Sequence, residues 1–231
     1  MKTNISLDFA VAVLCGALLS LQSVQADGAV EGAKVGEWTQ DYDAALKLAK
    51  KKDLPIMMNF TGSDWCHWCI HMDKNVFAKS EWKKFAATNA VLITIDFPRN
   101  ESKVPKKYKL RNQTLQQKFG VRGYPTFVVM DSDGSTLLGM LGAGREKTPK
   151  SFAKEFKDAT RFSARSVAAY VKANPGKGKP LQAAATEYRE ASTALDKWIG
   201  TNPPRNEENL KKYETMRTRI ANAMTALQKF K

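Results

Sequence analysis

Two cysteines stand two residues apart in Cys66-His67-Trp68-Cys69, and both histidines of the 231-residue chain, His67 and His71, fall in the same short stretch. Thiols at this spacing can attack, exchange and re-form a disulfide, provided that one of them is held as the thiolate. A helix N-terminus does that, because its free N–H groups and macrodipole draw the first cysteine below its usual pKa of about 8.5. Cys66 is therefore the expected nucleophile. Cys69, one turn on, is the expected resolving thiol that releases a mixed disulfide. His67, beside the nucleophile, favours thiolate further and biases the pair toward an oxidising potential, and Trp68 is the second tuning position. Two other chemistries use the same residues. A static disulfide closes so small a loop that it would stabilise the chain only weakly. Cys66, His67, Cys69 and His71 could instead offer metal ligands, although on a helix positions 67 and 71 share one face and 66 and 69 the next, which strains closure round one ion. Haem attachment needs a histidine directly after the second cysteine, where Ile70 stands.

The surrounding elements must put Cys66 at a helix start. Leu54-Pro55-Ile56-Met57-Met58-Asn59-Phe60 is a nearly continuous apolar run, the pattern of a strand buried on both faces. Thr61-Gly62-Ser63-Asp64 is turn chemistry, and residues 66–78 then predict a helix, with Ser80 a candidate cap for the next through residue 87. Before this unit, residues 41–52 show helical spacing and end in three lysines that complement the helix dipole. After it, Ala90-Val91-Leu92-Ile93-Thr94-Ile95-Asp96 predicts a strand. A basic loop over 97–111 leads to a short helix over 113–119, a strand over 126–130, an Asp-Gly hairpin turn at 131–134 and a strand over 135–141. Thr148-Pro149 caps a helix with Phe152 and Phe156 inward. Alternating helices and strands make residues 27–162 an α/β domain.

From residue 163 no strand pattern recurs. Asn174-Pro175-Gly176-Lys177-Gly178-Lys179-Pro180 has the composition of an exposed linker. Beyond it, Leu181, Ala184, Tyr188, Ala191, Leu195 and Trp198 step by three and four, as do Leu210, Tyr213, Met216, Ile220, Ala223 and Leu227. Residues 163–231 are thus expected to be a helical extension containing an antiparallel α-helical hairpin, about 181–199 and 207–230. One apolar seam per helix is the pattern of a hairpin packed on its own partner helix or on the α/β domain.

Residues 1–26 have the plan of a signal peptide: Lys2, an apolar run over 9–21, and a small-residue cleavage site at Val24-Gln25-Ala26. The expected mature protein is periplasmic or secreted, with no stable membrane span after cleavage. Removing the leader takes away Cys15 and leaves Cys66 and Cys69 as the whole cysteine complement. The net charge of +14 survives, from 37 Lys and Arg against 23 Asp and Glu in the full chain. Residues 151–231 hold 16 basic and 8 acidic side chains, so the excess is densest on the helical extension. That directs attention to an acidic partner for the C-terminal helices. A second basic cluster, Arg99, Lys103, Lys106, Lys107, Lys109 and Arg111, falls in the loop before the short helix. Nucleic acid is not expected, because no aromatic and basic residues interleave as a stacking platform.

Three segments resemble the thioredoxin-fold family in its own order. They are residues 55–60 with Trp65-Cys66-His67-Trp68-Cys69, then Phe119-Gly120-Val121-Arg122-Gly123-Tyr124-Pro125-Thr126, then residues 128–138 with the Asp133-Gly134 turn. The Ser63-Asp64-Trp65-Cys66 lead-in is most similar to the exported group that includes the periplasmic C-terminal domain of the membrane thiol:disulfide interchange protein. The resemblance implies a thioredoxin fold, a central mixed sheet flanked by helices, over about residues 37–160, and leaves the C-terminal hairpin unaddressed. It implies thiol:disulfide oxidoreductase activity on protein thiols and disulfides, with no cofactor. It further implies a cis bond before Pro125, substrate backbone contact at Tyr124 and Pro125, and Trp65 and Asn59 as supports. Asn59 departs from the family, which often has a buried acid there; an amide cannot carry protons during exchange. Ile70 replaces a usual lysine. Two other functions fit the same chain: an adaptor using the fold as a scaffold and the hairpin as its contact surface, and a periplasmic metal carrier.

Overall fold

The computed structural model describes residues 29–230, so the expected signal peptide and its cleavage site lie outside the described residues. Five strands form one mixed sheet in the order β1-β3-β2-β4-β5. They are β1 (Trp38–Thr39), β2 (Ile56–Thr61), β3 (Val91–Asp96), β4 (Thr126–Met130) and β5 (Leu137–Gly142). β1 and β2 run parallel to β3, whereas β2 with β4 and β4 with β5 are antiparallel. Every residue of β2 and β3 is buried, as expected of their largely apolar sequences, with Asn59, Thr61, Thr94 and Asp96 the polar residues buried among them.

Side chains alternate across the sheet and divide the core in two. Ile56, Met58, Phe60, Ile93 and Val128 pack on one face with Ala45 and Ala49 of α1 (Tyr42–Lys52) and Leu115 of α4 (Lys106–Lys118). On the other face, Met57, Leu92, Phe127 and Val129 meet α2 (His67–Met72), α3 (Ser80–Asn89) and α5 (Pro149–Ala159). Phe77 is the hub of that second layer, with the rings of Trp38, Trp82, Phe127 and Phe152 edge-on at 5.4, 5.3, 5.2 and 5.3 Å. Truncating so enclosed an aromatic costs about 3–5 kcal/mol. Local signals fix the ends of the elements. The Asp41 carboxylate accepts the Ala44 N–H to start α1, and Thr148 and Ser151 form a reciprocal capping box at α5 with Pro149 just inside it. Gly134 takes φ 71° in the turn between β4 and β5.

Several boundaries differ from the sequence expectation. The helix expected over 66–78 is α2 followed by one π-helical turn, Asp73–Phe77, and Ser80 is the first residue of α3 with Lys79 at the cap position. The last turns of the supposed basic loop are helical: α4 begins at Lys106, straight after Pro105, whose fixed φ suits the residue before a helix. β5 starts at Leu137 rather than 135. The supposed linker over 174–180 is also helical. Between α5 and the hairpin lies α6 (Ala164–Ala173), and α7 (Pro175–Gly200) starts at Pro175, antiparallel to α8 (Glu207–Gln228). Pro175 is at the helix start, where its missing N–H costs nothing, and a Cβ on Gly178 would come within 2.7 Å of the Val171 Cα. That glycine serves close helix packing, not a turn.

The helical extension packs against the α/β domain. Val167, Leu181, Ala185, Tyr188, Ala223 and Leu227 make its own small core. The Tyr188 hydroxyl donates to the Leu137 carbonyl of β5, Ser135 and Thr193 hydroxyls are 2.9 Å apart, and Lys118 of α4 pairs with Asp196 of α7. Asp131, at the end of β4, accepts the Ala164 N–H that opens α6 and lies 3.6 Å from Arg189. The α8 seam is buried only toward its C-terminal end: Leu227 is fully buried while Leu210 is 57% exposed.

Candidate active site

β2 ends at Thr61, and the turn that follows delivers Cys66 to the N-cap of α2. Cys66 has extended backbone, φ −82° and ψ 107°, and its sulfur accepts the Cys69 N–H at 3.2 Å. Cys66 and Cys69 are joined by a disulfide with Cα atoms 5.2 Å apart. Both are nearly buried, at 7% and 5% exposure, while Trp65 and Trp68 on either side of Cys66 are 38% and 39% exposed. The sulfurs therefore lie at the bottom of an aromatic rim.

Two aspartates hold the turn. The Asp96 carboxylate, at the end of β3, accepts both the Ser63 N–H at 2.9 Å and the Ser63 hydroxyl at 2.7 Å. Asp64 reaches the other way and accepts the Arg99 and Asn100 N–H groups at 2.9 and 2.8 Å. These two N–H groups, Asn100 foremost, hold the Asp64 carboxyl below the usual carboxylate range. Neither role is legible in the sequence, because each aspartate's partner comes from the loop of a different strand.

Trp65 is fixed by its indole N–H donating to the Phe97 carbonyl at 2.8 Å. Its ring stands edge-on to Tyr124 at 5.8 Å, with Arg99 over its face, and a Cβ on Gly62 would collide with it. Tyr124 in turn stacks on Phe97, and Gln116 donates to its hydroxyl at 2.7 Å. Burial raises the Tyr124 pKa, so its phenol stays neutral. The Tyr124-Pro125 peptide bond is cis. Tyr124, Pro125 and Thr126 share a groove of about 350 Å³ with Gly123, Gly144 and Trp68, the residue between the two cysteines. The structure thus brings Cys66, Cys69, Trp65, Trp68, Tyr124 and Pro125 to one end of the sheet.

His67 is exposed, edge-on to Trp68 at 5.8 Å. His71 meets the same indole at 5.5 Å and its Nδ1 lies 3.1 Å from the Asn75 amide nitrogen. Asn59 lies on β2, on the face it shares with Met57, which packs with Met72 and Val76 below the site helix. It is buried, and its Oδ1 makes no hydrogen bond among the described residues. Among those residues no group of three His, Cys, Asp or Glu side chains is arranged to hold a metal ion.

Residues 42–160 match the family model of the thioredoxin-like domain, just over half of the chain. The chain belongs to the thioredoxin-like family. The chain is 36% identical over 104 residues to "Disulfide bond reductase DsbH" of Chlamydia pneumoniae, a match covering 45% of this chain and 61% of that one. It is 25% identical over 109 residues to "Thioredoxin-related protein DsbJ" of the same organism, covering 47% of this chain and 31% of the other. The chain therefore spans less than two thirds of the length of either relative. A solved structure titled "DsbH Oxidoreductase" superposes with a TM-score of 0.50 at 32% identity, over 56% of this chain and 87% of that one. The family's fold accounts for residues 42–160, and the hairpin lies outside the match.

Proposed function

We propose that this thioredoxin-like protein is an exported thiol:disulfide oxidoreductase that exchanges disulfides with protein partners through Cys66 and Cys69. The observation that carries the reading is the Cys66–Cys69 disulfide at the start of α2, beside a groove that Trp68 shares with the cis-bonded Pro125. The relatives named a disulfide bond reductase and a thioredoxin-related protein support it. Among the described residues no helix is long and apolar enough to cross a membrane.

In the reduced protein the Cys66 thiolate, held by the Cys69 N–H, attacks one sulfur of a client disulfide. The client S–S bond breaks, a Cys66–client mixed disulfide forms, and the departing client sulfur takes up a proton. Cys69 then loses its proton and attacks the Cys66 sulfur, expelling the second client thiol and restoring the Cys66–Cys69 disulfide. The client has gained two electrons and the protein has lost two; the reverse sequence oxidises a dithiol client. Tyr124 and Pro125 would hold the client backbone alongside, while His67 and Trp68 tune the pair and Trp65 supports the rim.

The test is a Cys69→Ser protein, which can form the mixed disulfide but cannot resolve it. Expressed in its native compartment, it should accumulate client adducts that are reducible by dithiothreitol and absent from a Cys66→Ser,Cys69→Ser control. No adduct, together with equal and slow alkylation of both thiols after reduction, would overturn the reading. The reduction potential assigns direction: values near that of thioredoxin, about −270 mV, mean a reductant, and values near about −120 mV an oxidant.

A further inference from the structure

A groove of about 940 Å³ runs between the helical hairpin and the α/β domain. Phe119 and Leu137 line it from the domain, and Leu195, Ile199, Tyr213 and Ile220 from the hairpin. Ile199 is 43% exposed, so apolar surface here is left open to water. The charge that lines it without an ion-pair partner is positive. Arg122 and Arg217 line the groove and neither forms an ion pair among the described residues, while the only carboxylate lining it, Asp196, is taken by Lys118.

We propose that this groove docks an acidic, apolar-studded segment of the same protein partner whose disulfide meets Cys66, so that the hairpin selects clients by charge. This rests on the thiol-exchange reading. Arg122, which lines this groove, directly precedes Gly123 and Tyr124, which line the groove at the cysteines, so one stretch of chain contributes to both. Aromatic and apolar walls with arginine at the rim are the composition of protein-binding surfaces. A second copy of the chain fits poorly, since its net charge of +14 repels the cationic rim. Ala29 pairs with Thr39 of β1, at the edge of the sheet opposite β5.

The probe is a short fluorescent peptide alternating Glu with Leu and Phe, with a Lys-for-Glu analogue as its control. Binding is read by anisotropy on the full-length Cys66→Ser,Cys69→Ser protein, so that it does not depend on exchange chemistry. The acidic peptide should bind saturably and its analogue should not. Arg122→Glu,Arg217→Glu should weaken binding about tenfold or more, whereas the same charge change placed on α1, Lys51→Glu,Lys52→Glu, should leave it within about twofold. Equal loss in both double variants would reduce the effect to net charge, and absence of saturable binding to the unsubstituted groove would overturn the proposal. A dimer of the chain alone, seen by sedimentation and broken by Ile199→Glu, would give the groove to a second copy and overturn it as well. With the cysteines restored, a disulfide peptide carrying the acidic segment should show a lower KM than the bare disulfide peptide, with kcat unchanged. Failure to turn over even the bare peptide would fall on the exchange reading, not on the groove.

Discussion

The backbone N–H of Cys69 points at the Cys66 sulfur across 3.2 Å, within the single turn that also joins the two residues by their disulfide. On reduction the same N–H faces a sulfur that is free to ionise, and a hydrogen bond to the charged form lowers a pKa. Cys66 is therefore expected to ionise below about 8.5 and below Cys69, which lies inside the helix rather than at its cap. Alkylation rates of the two thiols followed against pH, resolved by peptide mapping, measure this directly. Coincident midpoints would count against the assignment of nucleophile.

Asp64 ties the turn before Cys66 to the loop after β3. Its carboxyl is held below the ordinary range by two backbone N–H groups. A depressed folded pKa gives stability that is present above the unfolded value, about 3.9, and is lost as pH falls through the folded value. Asp64→Asn should accordingly lower the melting temperature at neutral pH, and the gap should close in acid. Melting curves from pH 7 down to about 2.5 check the sign; a gap constant with pH would assign the loss to packing instead.

Tyr188 is the hairpin's hydrogen bond to the sheet. Burial, with Asp133 second, pushes its pKa up to about 12. Tyr188→Phe leaves the Leu137 carbonyl without that donor and should cost about 1 kcal/mol at neutral pH. Because the folded pKa is raised, the tyrosine's stabilisation is complete below the unfolded value of about 10 and is lost as pH rises through about 12. The difference between the two proteins should therefore shrink across that interval. Denaturant melts at neutral and alkaline pH report it.

Asn59 occupies a buried position beneath the site helix where an acid would be able to move protons. Asn59→Asp puts a carboxyl among Met57, Phe127 and their neighbours, where burial raises its pKa. The pH profile of disulfide exchange should gain an inflection above the ordinary carboxylate range, and stability at neutral pH should fall by about 1–3 kcal/mol. An unchanged profile with the expected loss of stability would place Asn59 outside the proton route.

Much of this was legible wherever one stretch of chain carries its own signal. The strand over 126–130, the Thr148-Pro149 cap and the Asp-Gly turn are each written in a few adjacent residues, and each is where the sequence puts it. The cis bond at Pro125 was implied by family resemblance alone. What local reading missed has a tertiary cause. Gly178 looks like a loop residue because its reason for being glycine, the Val171 backbone, belongs to another helix. The Lys106 to Arg111 stretch looks like a loop because it is polar, yet Pro105 starts a helix there and Leu110 is left 74% exposed. Asp64 and Asp96 were unremarkable as letters, and their work became visible only when the loops after β2 and β3 lay side by side.

The hairpin's position on β5 has a consequence for solubility. β5 is the last strand of the sheet, with β4 on one side and, among the described residues, no strand on the other, and an open strand edge is a template for pairing with a neighbouring molecule. Tyr188 caps the carbonyl of its first residue, and Met224 and Leu227 of α8 share a cleft with Leu138 and Gly139. Whatever else the three C-terminal helices do, they cover the first residues of the border along which two copies could zip together, so the redox domain cut away from them would be a stickier molecule than the whole.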